Sequence, residues 1–408
     1  MNSLKKITLG LLVTAGIAAC SSDDDSSENI QVEAPASYIF TRDGSSSVSF
    51  GGQTTRIRMA EALVSNLTDP GVSLEKLNAQ FDHQEGVSNF EDEDLNTSDK
   101  SIRSKVAASY DFFNANNTES IAIKTTFENW IENQVDQVFT RWMDPASKGV
   151  AGSIEEGGSN PATRYVTGQG LELNQAFAKG LIGALMLDQA INNYLSPGIL
   201  DQADNRENND AGVVADGKNY TTMEHKWDEA YGYVYGTSGD TQNPNTTIGE
   251  DDNFLNKYIG RVENDDDYTG IATDIFEAFK LGRAAIVAGA YDVRDEQAVI
   301  LQNKLSEIIA IRSIYYLQQG KSKIEASTID YADAFHDLSE GYGFIYSLQF
   351  TKNTETGTPK VNSDQVDEWL SEILPDNDGF WVVTPEALQS VSEEIAEIYD
   401  IDIEKAGS

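Results

Sequence analysis

HKWDEAYGYVY at residues 225–235 and HDLSEGYGFIY at residues 336–346 are the two stretches on which the fold turns. Both read H-x-x-x-E-x-Y-G, followed by an aromatic residue, a β-branched residue and a tyrosine. The shared positions include two of the chain's three histidines. Upstream, QAFAKG at 175–180 is echoed by EAFKLG at 277–282. Self-similarity of this kind decides architecture. It predicts two copies of one helical unit, at about 165–236 and 265–347, packed as duplicated antiparallel bundles about a pseudo-two-fold axis.

Working outward from the repeat, almost everything reads as helix. Residues 54–67 place Ile57, Met59, Ala60, Leu63, Val64 and Leu67 mostly at helical spacing. Further helices are expected at 72–81, 101–113, 118–142, 168–195, 221–234, 268–290, 294–320, 325–350, 362–373 and 384–400. The last opens with Thr384-Pro385-Glu386, proline at the first helical position. Residues 38–52 are the exception. There Tyr38, Phe40, Val48 and Phe50 alternate around Asp43-Gly44, which predicts a small β-hairpin. Polar stretches at 144–163, 196–219 and 236–267 read as loops. The expected fold is all-α, a helical domain over 38–408 with a small N-terminal hairpin.

A histidine and a glutamate four residues apart lie on one helical face, about 6 Å apart at Cβ. A neutral imidazole and a carboxylate there can share a metal ion. This donor pair suits Zn, Fe or Mn, and tyrosine oxygen favours a hard ion such as Fe(III). The candidate metal ligands are His225 and Glu229 in the first copy and His336 and Glu340 in the second. Asp228, Tyr231 and Tyr342 are possible auxiliary donors, and iron or another divalent metal is the possible cofactor. The same spacing has a structural reading. A buried His–Glu pair can lock two bundle halves with no ligand, and Tyr-Gly-aromatic can be a packing motif where helices cross at the glycine.

The first residues speak to location. Lys5 and Lys6 precede an apolar run at 7–19 that is too short to span a bilayer, which takes about 20 residues. It reads as the core of a secretory signal peptide over 1–19. IAAC at 17–20 resembles a bacterial lipobox, which makes Cys20 the lipidation site. Two or more acyl chains hold a protein firmly at a membrane. Residues 20–37 form an acidic tether with too few large apolar residues to order itself. SSDDD at 21–25 resembles the surface-export signal of Bacteroidetes lipoproteins, or is a plain solvated tether. The expected location is the outer membrane, lipid-anchored and exposed on the cell surface.

Composition bounds the rest. With 29 basic and 67 acidic residues the net charge is −38. That disfavours nucleic acid and anionic membrane surfaces, which are bound through Lys and Arg. One cysteine leaves no disulfide, and three histidines nearly exclude a site drawing several imidazoles. There is no G-x-S-x-G, no H-E-x-x-H and no P-loop lysine, so no catalytic residue is assigned. DNDG at 376–379 resembles the middle of a Ca²⁺ loop. Leu374 stands at the first ligand position and no glutamate ends the loop, so a turn is expected. Acidic clusters at 91–94, 250–252 and 265–267 are expected to be solvated loops or weak cation binders.

The lipobox, the YIFTRDG…SVSF hairpin at 38–50 and EHKWDEAYGY at 224–233 together resemble an uncharacterised family of Bacteroidetes lipoproteins, a domain of unknown function. The duplicated helical layout also resembles the imelysin-like proteins, two four-helix bundles carrying G-x-H-x-x-E. That resemblance implies a surface lipoprotein working with an outer-membrane transporter or other iron-uptake lipoproteins. His225 matches the motif histidine, but Met223 stands for its glycine and Asp228 for its acid. In the second copy Ala334 and Ser339 replace them. The expected function is an accessory or binding component of an iron-acquisition system. The alternatives are a metal-dependent hydrolase of imelysin type and a glycan-binding lipoprotein. The last would need an exposed platform from Trp130, Trp142, Trp227, Trp369 or Trp381.

Overall fold

The computed structural model describes residues 31–114, 117–159, 161–375 and 377–408. The signal peptide, Cys20 and residues 20–30 of the tether lie outside them. The fold opens with a two-stranded hairpin, β1 (Thr41–Arg42) and β2 (Ser45–Ser46). Asp43 and Gly44 both take positive φ, 52° and 78°. A two-residue hairpin loop needs that twist. Helix α1 (Gly51–Asn66) follows directly.

Residues 101–109, expected to be helical, form turns, and only Tyr110–Phe113 is helix. The backbone N–H groups of Ala108 and Ser109 go instead to the carboxylate of Asp188, a distant side chain. Helix α2 (Thr118–Asn133) is capped by Asn117 and carried on through irregular turns to Arg141. The Gly/Ser/Pro stretch after it hides a second antiparallel hairpin, β3 (Gly152–Glu155) with β4 (Thr163–Val166). Its strands are short and carry few apolar residues, so alternation gave no signal. Helix α3 (Leu173–Leu181) then continues without interruption as a π-helix over Ile182–Tyr194.

The second half is regular. Helix α4 (Thr222–Tyr235) begins with a capping box between Thr221 and Glu224. Helix α5 (Leu255–Glu263) lies within a stretch read as loop; its nine residues adjoin acidic clusters that masked the pattern. Helices α6 (Ile271–Ala288) and α7 (Tyr291–Ile324) are joined across Gly289, whose φ of 68° ends the first in the usual left-handed cap. Helices α8 (Tyr331–Ser347), α9 (Ser363–Ile373) and α10 (Pro385–Tyr399) follow, and a last short turn of helix spans Ile403–Ala406.

Helix α7, 34 residues long, is the spine against which α6, α8 and α10 pack. Helix α8 lies between α7 and α3. The first part of α3 meets α8, and its π-helical part meets α4. One apolar core runs from Tyr38 to Ala406, so the protein is all-α with two small hairpins. The histidine helix of each copy packs on a helix that follows a hairpin, α4 on α1 and α8 on α3. The stretches that resemble each other are therefore interleaved: α8 of the second copy rests on α3 of the first. None of the five tryptophans is exposed. Among the described residues no helix is long and apolar enough to cross a membrane.

Candidate functional site

The two repeated segments build the same clamp. In the first, His225 Nδ1 sits 2.9 Å from the carbonyl oxygen of Ser49, and Asp228 accepts the N–H of Ser49 at 3.1 Å. In the second, His336 Nδ1 sits 3.1 Å from a carboxylate oxygen of Glu172, and Ser339 Oγ accepts the N–H of Glu172 at 2.9 Å. Ser49 and Glu172 each stand just ahead of the helix that follows a hairpin. The histidine and the residue three further on thus grip the entrance to α1 or α3. One turn later, Gly232 and Gly343 let the backbones approach. A Cβ on Gly232 would come within 2.4 Å of Phe50, and one on Gly343 within 2.5 Å of the Lys179 Cβ. The Tyr-Gly-aromatic motif is a helix crossing.

Each glutamate faces its histidine through Nε2, at 3.9 Å for Glu229 and 3.8 Å for Glu340, beyond hydrogen-bond reach. Each carboxylate is held elsewhere. Glu229 takes Lys226 Nζ at 2.8 Å and Gln53 Nε2 at 3.0 Å. Glu340 takes Lys179 Nζ at 3.1 Å and the Tyr258 hydroxyl at 3.3 Å. Burial works against the charge on Glu340, but Lys179, His336 and the Tyr316 hydroxyl outweigh it and hold its pKa down at about 2. The histidines differ. Burial pushes His225 below the ordinary imidazole range, and Glu229 only partly offsets this. Burial also pushes His336 down, but the bond to Glu172 and the charges of Glu172 and Glu340 outweigh it and raise the pKa. The first clamp disfavours a charge on its imidazole and the second favours one.

The auxiliary donors point elsewhere. Asp228 is fully buried and bound by Arg283 at 3.1 Å and the Tyr38 hydroxyl at 2.8 Å. Arg283 also reaches Glu224, which Arg42 holds from the hairpin. Tyr231 donates to the Thr241 carbonyl and stacks on Tyr38. Tyr342 packs edge-on against Trp130. A structural zinc site uses four protein ligands and a catalytic one three. Among the described residues no three His, Cys, Asp or Glu side chains gather to hold an ion. Each pair offers one imidazole nitrogen and a carboxylate already carrying an ammonium group. Neither pair by itself completes a zinc donor set.

The surroundings separate the two clamps. Tyr220 lies flat over the His225 ring at 4.5 Å. His336 and Glu340 instead line a polar cavity of about 800 Å³, together with Lys257, Tyr258, Arg312, Tyr316 and the 265–267 acidic cluster. A second cavity of about 810 Å³ brings the 91–92 and 250–252 acids together with Glu61 and Arg58. Several of those acids are engaged: Asp92 pairs with Arg58, Glu61 accepts twice from Asn253, and Asp252 accepts the Phe254 N–H. The Ca²⁺-like segment is a turn in its described part, where Asp378 pairs with Lys148; Asp376 lies outside the described residues.

The family model for a domain of unknown function, DUF4856, matches residues 35–402. The chain belongs to this family. No curated protein and no solved structure matches it. In this DUF4856 member the matched span holds both hairpins, both clamps and the His336 end of the cavity.

Several of these residues escaped the sequence reading. Ser49 and Glu172 carry no motif; only the fold sets them under the histidines. Lys179 and Arg312 did leave a signal. Each is a single cation within an apolar helical run, LNQAFAKGL at 173–181 and IIAIRSIYY at 308–316. A long charged residue on a buried face implies a partner or a cavity.

Proposed function

We propose that this protein is a binding component of an iron-acquisition system, anchored through Cys20 to the outer membrane and exposed on the cell surface. Its cargo is iron within a carrier molecule, and the His336 cavity is the seat. One observation carries this reading. The second clamp opens into a cavity of about 800 Å³, the size of a small-molecule site, while Lys179 already occupies Glu340. A bare ion finds an incomplete donor set there; a carrier brings its own donors and needs only a shaped, polar seat.

The test is calorimetric titration of residues 32–408, one compact unit, with Fe(II), Fe(III), Fe(III)–citrate and haem. The expected result is stoichiometric binding of an iron complex, weakened by His336→Ala and unaffected by His225→Ala, with both folds checked by circular dichroism. Absence of binding by every iron species would end the iron reading.

A further inference from the structure

We infer that the His336 cavity takes a small molecule bearing carboxylate or phosphate groups, held by Arg312 and Lys257. This deepens the proposal that the cavity is a ligand seat, and rests on it. In a chain of net charge −38, three cations line this one cavity: Arg312, Lys257 and Arg261. None of the three has an ion-pair partner among the described residues. Three of the five side-chain carboxylates that line the cavity are already paired, and Asp265 and Asp266 have no cationic partner among the described residues. Glu340 pairs with Lys179, Asp337 with Lys323, and Asp267 with Lys405.

Arg312 is the decisive group. It is 7% exposed, and its Nε has no protein acceptor. Its guanidinium lies 3.8 Å from the Tyr315 ring centre, 4.7 Å from Tyr316 and 5.7 Å from Tyr258. Aromatic faces ease the burial of a cation. They supply no lone pair in the plane of its N–H groups, and a guanidinium presents five such donors in a fork matched to carboxylate and phosphate. A buried donor left without an acceptor destabilises the fold, so a ligand oxyanion would relieve it. Lys257 shares that tyrosine with Arg312, its Nζ 6.0 Å from the Tyr258 ring centre. Burial, with the charges of Lys179 and Arg261, pulls its pKa down, and Glu340 only partly offsets this. The tyrosines stiffen the wall, and the acidic cluster at 265–267 disfavours anions that lack a strong grip.

The experiment titrates metal-free citrate, inorganic phosphate and neutral glucose into residues 32–408, at low and high salt. Arg312→Gln and Lys257→Gln run beside the wild type. The expected result is binding of citrate or phosphate but not glucose, weakened by salt and at least tenfold by either substitution. Whichever of the two binds more tightly assigns the group as carboxylate or phosphate. Lys257 is only half-buried, so its variant reports even if Arg312→Gln unfolds. The inference is overturned if neither anion binds at millimolar concentration, or if affinity is unchanged in Lys257→Gln. If an iron complex binds while metal-free anions do not, the anion inference falls and the iron reading stands. If citrate or phosphate binds while no iron species does, the reverse holds.

Discussion

At the scale of single residues, the two histidines share one geometry but opposite charge preferences, and pH separates them. His336 has a folded pKa above its unfolded value. Its charge therefore stabilises the fold fully below about pH 6.5, and this is lost as pH rises through the folded pKa. His225 has a depressed folded pKa. Its contribution is present above about pH 6.5 and lost as pH falls through the folded value. We expect His336→Gln to cost more stability at pH 5.5 than at pH 9, and His225→Gln to cost more at pH 8 than at pH 5, by urea unfolding at each pH. A reversed order would refute the assignment. The histidines were legible in the sequence because the motif recurs with fixed spacing. Their partners were not, since Ser49 and Glu172 lie 176 and 164 residues away along the chain. Spacing along one helix reveals which side chains share a face, but it cannot reveal what a second helix brings to that face.

Elements are joined by close approach and by a buried charge network. Gly343 lies against Lys179 and the Ala176 carbonyl. Gly343→Ala should therefore force α8 off α3 and cost about 1–3 kcal/mol, read as a lower urea midpoint at unchanged slope. Arg283 on α6 is fully buried and holds both Glu224 and Asp228 of α4. Arg283→Ala leaves two carboxylates in the interior and should cost about 3–5 kcal/mol. Restored wild-type stability in that variant would show the network to be dispensable. The long helices were legible because their apolar periodicity extends over many turns. Helix α5 and the second hairpin were not, for each is short and flanked by polar residues. The stretch at 101–109 failed for another reason: Asp188 takes backbone N–H groups that a helix would have used.

At the scale of the molecule, the anchoring proposal predicts a simple partition. The wild-type chain should sediment with outer membranes and label at the cell surface, and Cys20→Ala should be released as soluble protein with its fold intact. Retention of the variant in the membrane would remove the lipid anchor. Under this anchoring, the N-terminal hairpin takes on a mechanical part. The tether enters the fold near Tyr38, whose hydroxyl is bonded to Asp228 and whose ring is stacked on Tyr231, both deep on α4. A pull along the tether would not peel a strand from an edge. It would load Tyr38, Arg42 and their bonds to α4 together, in shear, and pass the tension straight into the packed interior. Under the anchoring proposal the chain would be moored amidships, with the load taken at the first clamp through Tyr38 and Arg42.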